Sequence, residues 1–130
     1  MSEGGIPIGA VLVHEGKIIG QGHNCRVQTG SSIDHGEMNC LRNAGRLPAR
    51  VYRECTMYST LSPCPMCSGA IVLYKIPNVV VGENKNFLGA EDYMRSNGIR
   101  VDVIQDDECI NMMADFIKTR PDLWNEDIGV

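Results

Sequence analysis

The sequence predicts an α/β sandwich: a mixed sheet of about five strands with helices on both faces. Three observations predict it. Apolar runs of strand length alternate with helix-length stretches over 130 residues, the size of a single domain, 1–130. The first two runs are joined by Glu15-Gly16, a short turn that marks an antiparallel hairpin. The later strands are separated by helices, which is how parallel neighbours are connected.

Each element has a local reason. Residues 6–13 are an apolar core strand and 17–20 its return strand. Residues 22–33 are polar and Gly-rich and read as a loop. A helix starts near Asp34 or His35, runs to Asn43 and ends at Gly45. Residues 55–61 form a buried strand, after which Pro63 and Pro65 open a helix over 68–74, Pro65 suiting the first turn. Pro77 ends that helix, and Val79 to Val81 form the next strand. Residues 83–90 are a loop and 91–96 a short helix closed by Asn97-Gly98. Residues 101–104 are the last strand. Asp106 or Asp107 caps a helix running to Arg120, with Pro121 as its stop. Ile110, Met113, Ala114 and Ile117 give that helix one apolar face.

Composition narrows the function. The net charge of -4 is the wrong sign for gripping phosphates, which favours a small substrate over nucleic acid. No apolar run is long enough to span a membrane and no signal stretch opens the chain, so a cytoplasmic protein (with the nucleus also open to it) is expected. In that setting six cysteines point to metal more than to disulfides. Cys25, Cys40, Cys55 and Cys109 lack paired spacing and read as free, mostly buried thiols, and Met57, Met66, Met112 and Met113 as core filling.

The chemistry lies in His35-Gly36-Glu37 and Pro63-Cys64-Pro65-Met66-Cys67. His35, Cys64 and Cys67 make three soft zinc ligands, the number a catalytic site uses when it keeps a position for water. Cys64 at a helix start should be a ready thiolate. Glu37 lies two residues from His35, roughly 200° around an ideal helix, so the two cannot share a helical face. His35 is then an irregular first-turn ligand and Glu37 a catalytic proton carrier. A closed structural site with His14, His23 or another cysteine as fourth ligand stays open on sequence alone. His14 reads as an exposed turn residue and His23 as a loop residue near the site.

These motifs match the His-x-Glu and Pro-Cys-x-x-Cys signature of zinc nucleobase deaminases. The chain resembles the fungal-type cytosine deaminases of the cytidine deaminase superfamily over nearly its whole length. Gly22-His23-Asn24, the segment from Gly82 to Phe87 and the tail from Arg120 to Gly129 carry the closer likeness. The resemblance implies a three-layer sandwich, one catalytic zinc per chain and a homodimer. It also implies hydrolysis of free cytosine to uracil and ammonia in pyrimidine salvage, with 5-fluorocytosine as a second substrate. Asn24 and the Gly36 N–H then hold the pyrimidine edge, and the Ser62 carbonyl faces the departing amino group. Phe87 and Trp124 cover the ring, Asp127 stands near the substrate or His35, and Ile8 and Ser59 shape the wall. On residue chemistry alone Asn24 reads equally as a turn residue, Phe87 as core, Trp124 as an anchor of the tail and Asp127 as an exposed acid. The family also has a helix before the first strand, and here it is expected to be absent, exposing an apolar face of the sheet. A deaminase of guanine or of tRNA adenosine is the alternative, and an inactive partner subunit a further one, against which the intact Glu37 argues.

Overall fold

The computed structural model describes residues 5–130. The expectation about a helix before the first strand falls on residues 1–4, outside those described. Five strands form one sheet in the order β2-β1-β3-β4-β5. β1 (Gly9–His14) pairs antiparallel with both β2 (Lys17–His23) and β3 (Cys55–Leu61). β3, β4 (Asn78–Glu83) and β5 (Arg100–Val103) run parallel. The predicted hairpin and the parallel half are both present. Its turn places Glu15 and Gly16 at φ 50° and 78°, a pair of left-handed residues that suits the strand twist.

β1 starts later than expected. Pro7 offers no N–H to a ladder, and Ile6 and Ile8 pack instead with Met113, Phe116 and Trp124 in a second core cluster. β2 runs three residues further than its polar, Gly-rich sequence suggests. The helix α2 (Gly36–Ala44) lies directly on it: a Cβ at Gly20 would come within 2.6 Å of the Ala44 Cβ, and one at Gly22 would collide with Asn39 and Cys40. The glycines are there for close approach, not for a loop.

The main core lies between this helix layer and the sheet, with Leu12, Met57, Ile71, Ile76, Val79 and Val81 fully buried. The helix α4 (Pro65–Tyr74) fills the crossover from β3 to β4. The other face carries Val11, Tyr58 and Val80. An open cavity of about 650 Å³ lies against it, reaching Gly82, Ile104 and Cys109. Tyr58 and Ile104 are 42% and 61% exposed.

Three short helices escaped the sequence reading: α1 (Arg26–Thr29), α3 (Ala49–Tyr52) and α7 (Pro121–Asp127). Pro121 does not merely stop α6 (Asp107–Thr119); it opens α7 from a first-turn position, where its missing N–H costs nothing. Asp106 caps α6 as expected, accepting from the N–H groups of Glu108 and Cys109. The face of α6 is rotated from the expected one: Met113 and Phe116 are buried and Ala114 is exposed. The helix α5 (Glu91–Ser96) lies where expected. Met66 is exposed on α4 and so is not core filling. No helix among the described residues is long and apolar enough to cross a membrane.

Candidate active site and metal centre

Two strand-to-helix turns meet at one end of the sheet. His35 precedes α2 in extended conformation (φ -66°, ψ 161°), and Cys64 precedes α4 in nearly the same one (φ -67°, ψ 172°). His35 therefore stands outside the helix, while Glu37 lies in its first turn. This separation is what lets two residues only two apart reach one site from different sides. Cys64 likewise occupies the N-cap position of its helix and Cys67 lies three residues further on, the i, i+3 spacing expected to bring both thiols to one side.

The His35 Nδ1 lies 3.5 Å from the Cys64 sulfur and 3.7 Å from that of Cys67. A tetrahedral zinc ion with bonds of about 2.3 Å to sulfur and about 2.05 Å to nitrogen would set such donors about 3.6 Å apart. The donor set thus fits zinc. Among the described residues it stops at three, and neither His14 nor His23 joins it. His14 instead meets Glu54 at 2.8 Å, and His23 lies 3.2 Å from the Cys25 sulfur. Cys25, Cys40, Cys55 and Cys109 form no disulfide, and the first three are buried.

Of the two ligand thiols, Cys64 takes the charge. It is pulled down to about 4, chiefly by the hydrogen bond from the Cys67 thiol and further by His35, against its burial. Cys67 is pushed up because it donates to Cys64 and is buried. His35 is buried, which favours the neutral ring, but Cys64, Asp127 and Glu37 outweigh this and raise its pKa. Glu37 is pushed up to about 7, first by burial and then by the negative charge of Cys64 and Asp127, with His35 opposing.

A closed cavity of about 20 Å³ adjoins this cluster. That is room for about one water and none for a pyrimidine. Ile8, His35, Glu37, Ser62, Phe87 and Trp124 line it, together with Cys64 and Asp127. Leu61 and Ile128 also line it and were missed in the sequence. Each adjoins a motif residue, Ser62 and Asp127, and that adjacency was the available signal. Phe87 and Trp124 meet edge to face, centroids 5.9 Å apart. Asp127 lines the cavity, and its Oδ1 lies 3.6 Å from His35 Nε2.

Two expected residues stand elsewhere. Asn24 is fully buried and lies behind Asp127 rather than in the cavity wall: its Nδ2 donates to Asp127 Oδ1 at 2.9 Å, and its Oδ1 accepts the Arg26 N–H at 3.1 Å. Ser59 does not line this cavity. It shares the buried face of β3 with Met57 and Leu61 but sits two residues short of the cavity, and its hydroxyl donates to the Leu61 carbonyl.

The loop over 84–90 is held by two buried carboxylates. Glu83 accepts from the N–H groups of Lys85 and Asn86 and from the Asn86 amide. Glu91 accepts from the Ser62 hydroxyl at 2.7 Å and from Asn84. Gly89 then donates its N–H to the Ser62 oxygen, and a Cβ there would collide with the Pro63 carbonyl. These contacts fix Phe87 over the cavity.

Fold and site together define a zinc-binding deaminase domain. Residues 2–83 match the cytidine and deoxycytidylate deaminase zinc-binding region, and the chain belongs to that family. It is 57% identical to cytosine deaminase of Candida albicans over 129 residues, covering 98% of this chain and 86% of that protein. A tRNA-specific adenosine deaminase of Streptococcus pyogenes is 36% identical over 87% of the chain and 77% of its own length. A solved structure from work on A-to-I editing at the wobble position of transfer RNA superposes with TM-score 0.63 at 27% identity, covering 81% of this chain and 83% of that one.

Proposed function

We propose that this protein is a cytosine deaminase that converts free cytosine and water to uracil and ammonia. The observation that carries the reading is the convergence of three zinc donors and a buried carboxylic acid on one small closed cavity. Zinc bound by His35, Cys64 and Cys67 supplies acidification of a water molecule toward neutral pH. Glu37 takes the proton of the attacking water and delivers it to ring N3 as the C4–O bond forms. Glu37 then takes the remaining proton from the new C4 hydroxyl and passes it to the amino nitrogen, the C4–N bond breaks, and ammonia leaves as the C4 carbonyl of uracil forms. Burial raises the affinity of Glu37 for a proton, which equips it to take a proton from the water before passing it on.

The other residues orient the ring. The Gly36 N–H is a first-turn helix donor with no partner inside α2. It faces the ring oxygen, with Asp127, held by Asn24, at the neighbouring N–H. The Ser62 carbonyl faces the departing amino group. Phe87 and Trp124 close over the ring and keep water out. 5-Fluorocytosine, altered only at C5, is accepted by the same contacts. Ile8 forms the wall beneath.

The net charge of -4 favours a free base over a base within a polynucleotide, whose phosphates it repels. The alternative, a tRNA adenosine deaminase, has support in the 36% relative. Zinc-loaded protein incubated with cytosine, 5-fluorocytosine, adenine, guanine and an anticodon stem-loop decides between them. Ammonia release from the two pyrimidines alone is expected, and release from the stem-loop alone overturns the reading.

The protein acts in pyrimidine salvage in the cytoplasm as a homodimer. Met66, Ala70 and Leu73 form an apolar stripe on α4, Leu73 68% and Met66 36% exposed, with Tyr93 nearby on α5 at 49%. Such a stripe on a small domain suits a second copy.

A further inference from the structure

Among the described residues Arg26 is the one buried Lys or Arg, it lies beside the site, and the proposed chemistry does not use it. Its side chain is 7% exposed. Its Nε donates to the Ser32 carbonyl at 2.8 Å. Its Nη1 is buried without a hydrogen-bond partner. That nitrogen lies 3.5 Å from Glu126 Oε1 and 3.6 Å from Asp127 Oδ1, beyond a charge-assisted hydrogen bond to either. A buried guanidinium left partly unpaired is unfavourable, so its retention here calls for a reason other than stability.

Both carboxylates belong to α7, the helix that carries Trp124. Arg26 opens α1, two residues after Asn24. The guanidinium therefore bridges the helix that covers the cavity and the loop behind it. Outside the cavity runs an open groove of about 330 Å³ lined by Arg26, Glu126 and Met66, which shares His35, Phe87 and Ile128 with the closed cavity. The same segment of α7 thus separates inside from outside. The cavity as it stands has no room for a pyrimidine, and the end of α7 and the loop bearing Phe87 both lie between it and the groove, so a base passes only if one or both shift.

We propose that Arg26 is the clamp that fastens α7 over the site. It is a positioning residue that acts through Asp127 and Glu126. Its attraction is shared between two carboxylates and saturated by neither, which holds Trp124 and Ile128 down without locking them. A tight bidentate pair at this position would hold the cover shut, and an uncharged residue would leave it open. The clamp sets how firmly the base is enclosed; it takes no part in the proton transfers.

Trp124 is the only tryptophan in the chain, so its emission reports α7 alone. Zinc-loaded wild type, Arg26→Ala, Arg26→Lys and Glu126→Gln are compared by zinc content, acrylamide quenching of that emission, and KM and kcat for cytosine. Arg26→Ala is expected to keep its zinc, to raise the quenching constant about threefold and to raise KM about tenfold, with kcat changed less than about threefold. Arg26→Lys is expected to restore part of the protection, since an ammonium reaches only one carboxylate at a time. Glu126→Gln, with a side chain 64% exposed, removes one partner without threatening the fold and should raise quenching by a smaller amount. Wild-type quenching and KM in Arg26→Ala overturn the proposal. Should Arg26→Ala fail to fold, wild-type values in both other variants overturn it equally. The kinetic arm rests on the deaminase reading, but the quenching arm does not. A wild type inactive on cytosine would sink that reading while leaving the clamp to be judged by emission.

Discussion

Glu37 illustrates how a single residue carries opposing demands. Its burial is what brings its pKa to about 7 from an ordinary 4.5, and the same burial makes its ionised form costly. A carboxyl with a raised folded-state pKa adds most stability below its unfolded value. That contribution falls as pH rises and is gone once pH passes the folded value. In chelator-treated protein, Glu37→Gln should therefore be more stable than wild type by about 3 kcal/mol at pH 8, and by less than about 1 kcal/mol at pH 5. Urea titration at the two pH values checks the sign. With zinc bound, a nearby cation favours the carboxylate, so the gap should narrow. The same substitution in the zinc-loaded protein should lower kcat by about 10²–10⁴-fold, read directly from ammonia release. A variant retaining wild-type turnover would remove Glu37 from the mechanism.

Legibility in the sequence also divides at the residue scale. His35, Glu37, Cys64 and Cys67 were readable because ligand type and spacing are local facts. Arg26 was not, because what distinguishes it is proximity to Glu126 and Asp127, a hundred residues away along the chain. Asn24 was placed near the site by its motif, but its position behind Asp127 depends on how the chain closes.

At the scale of elements, α6 and the loop over 84–90 make contrasting cases. The Asp106 cap satisfies two first-turn N–H groups at a solvent-exposed helix end. Asp106→Ala should lower stability by about 1 kcal/mol with KM unaltered, as thermal melts and kinetics together will show. Gly89→Ala should do the reverse in kind. The added methyl group would push against Pro63 and displace the loop that places Phe87, costing about 2–3 kcal/mol and most of the activity. Long elements with clear periodicity, such as α2, β3 and α6, follow from sequence. The short helices α1, α3 and α7 do not, since four to seven residues carry too little pattern. α7 had a signal in Pro121, whose fitness for a first turn competes with its fitness as a stop. The rotation of α6 onto Phe116 rather than Ala114 is set by what lies opposite, namely Ile6, Leu61 and Trp124.

Across the whole molecule, the sheet has two unlike ends. The turns at Glu15-Gly16 and Lys75 and the Asn97-Gly98 segment lie at one end, beside the β1–β3 pair His14 and Cys55 and the β4–β5 pair Asn78 and Arg100. The turns before α2 and α4, the loop over 84–90 and the C-terminal helix gather at the other, where all the chemistry lies. The order of strands was not readable from the sequence, which contains the hairpin but not the insertion of β1 between β2 and β3. That insertion is what brings the turn before α2 alongside the turn before α4. Nor could the sequence show how widely the outer sheet face opens around Tyr58 and Ile104.

The left-handed turn at Glu15-Gly16 has a practical meaning. Nothing lies within 4 Å of where a Cβ on Gly16 would sit, and the turn is on the end remote from the zinc donors. It is the natural attachment point for a fusion partner or a fluorescent reporter. The chain's last residue, Val130, is equally open to solvent at 85% exposure, yet it follows Ile128, which lines the closed cavity. A short Gly-Ser insert at the hairpin should leave KM within about twofold of wild type, whereas the same segment appended after Val130 should raise it several-fold. Freedom to be built upon is set here by which end of the sheet a surface belongs to, not by how exposed it is.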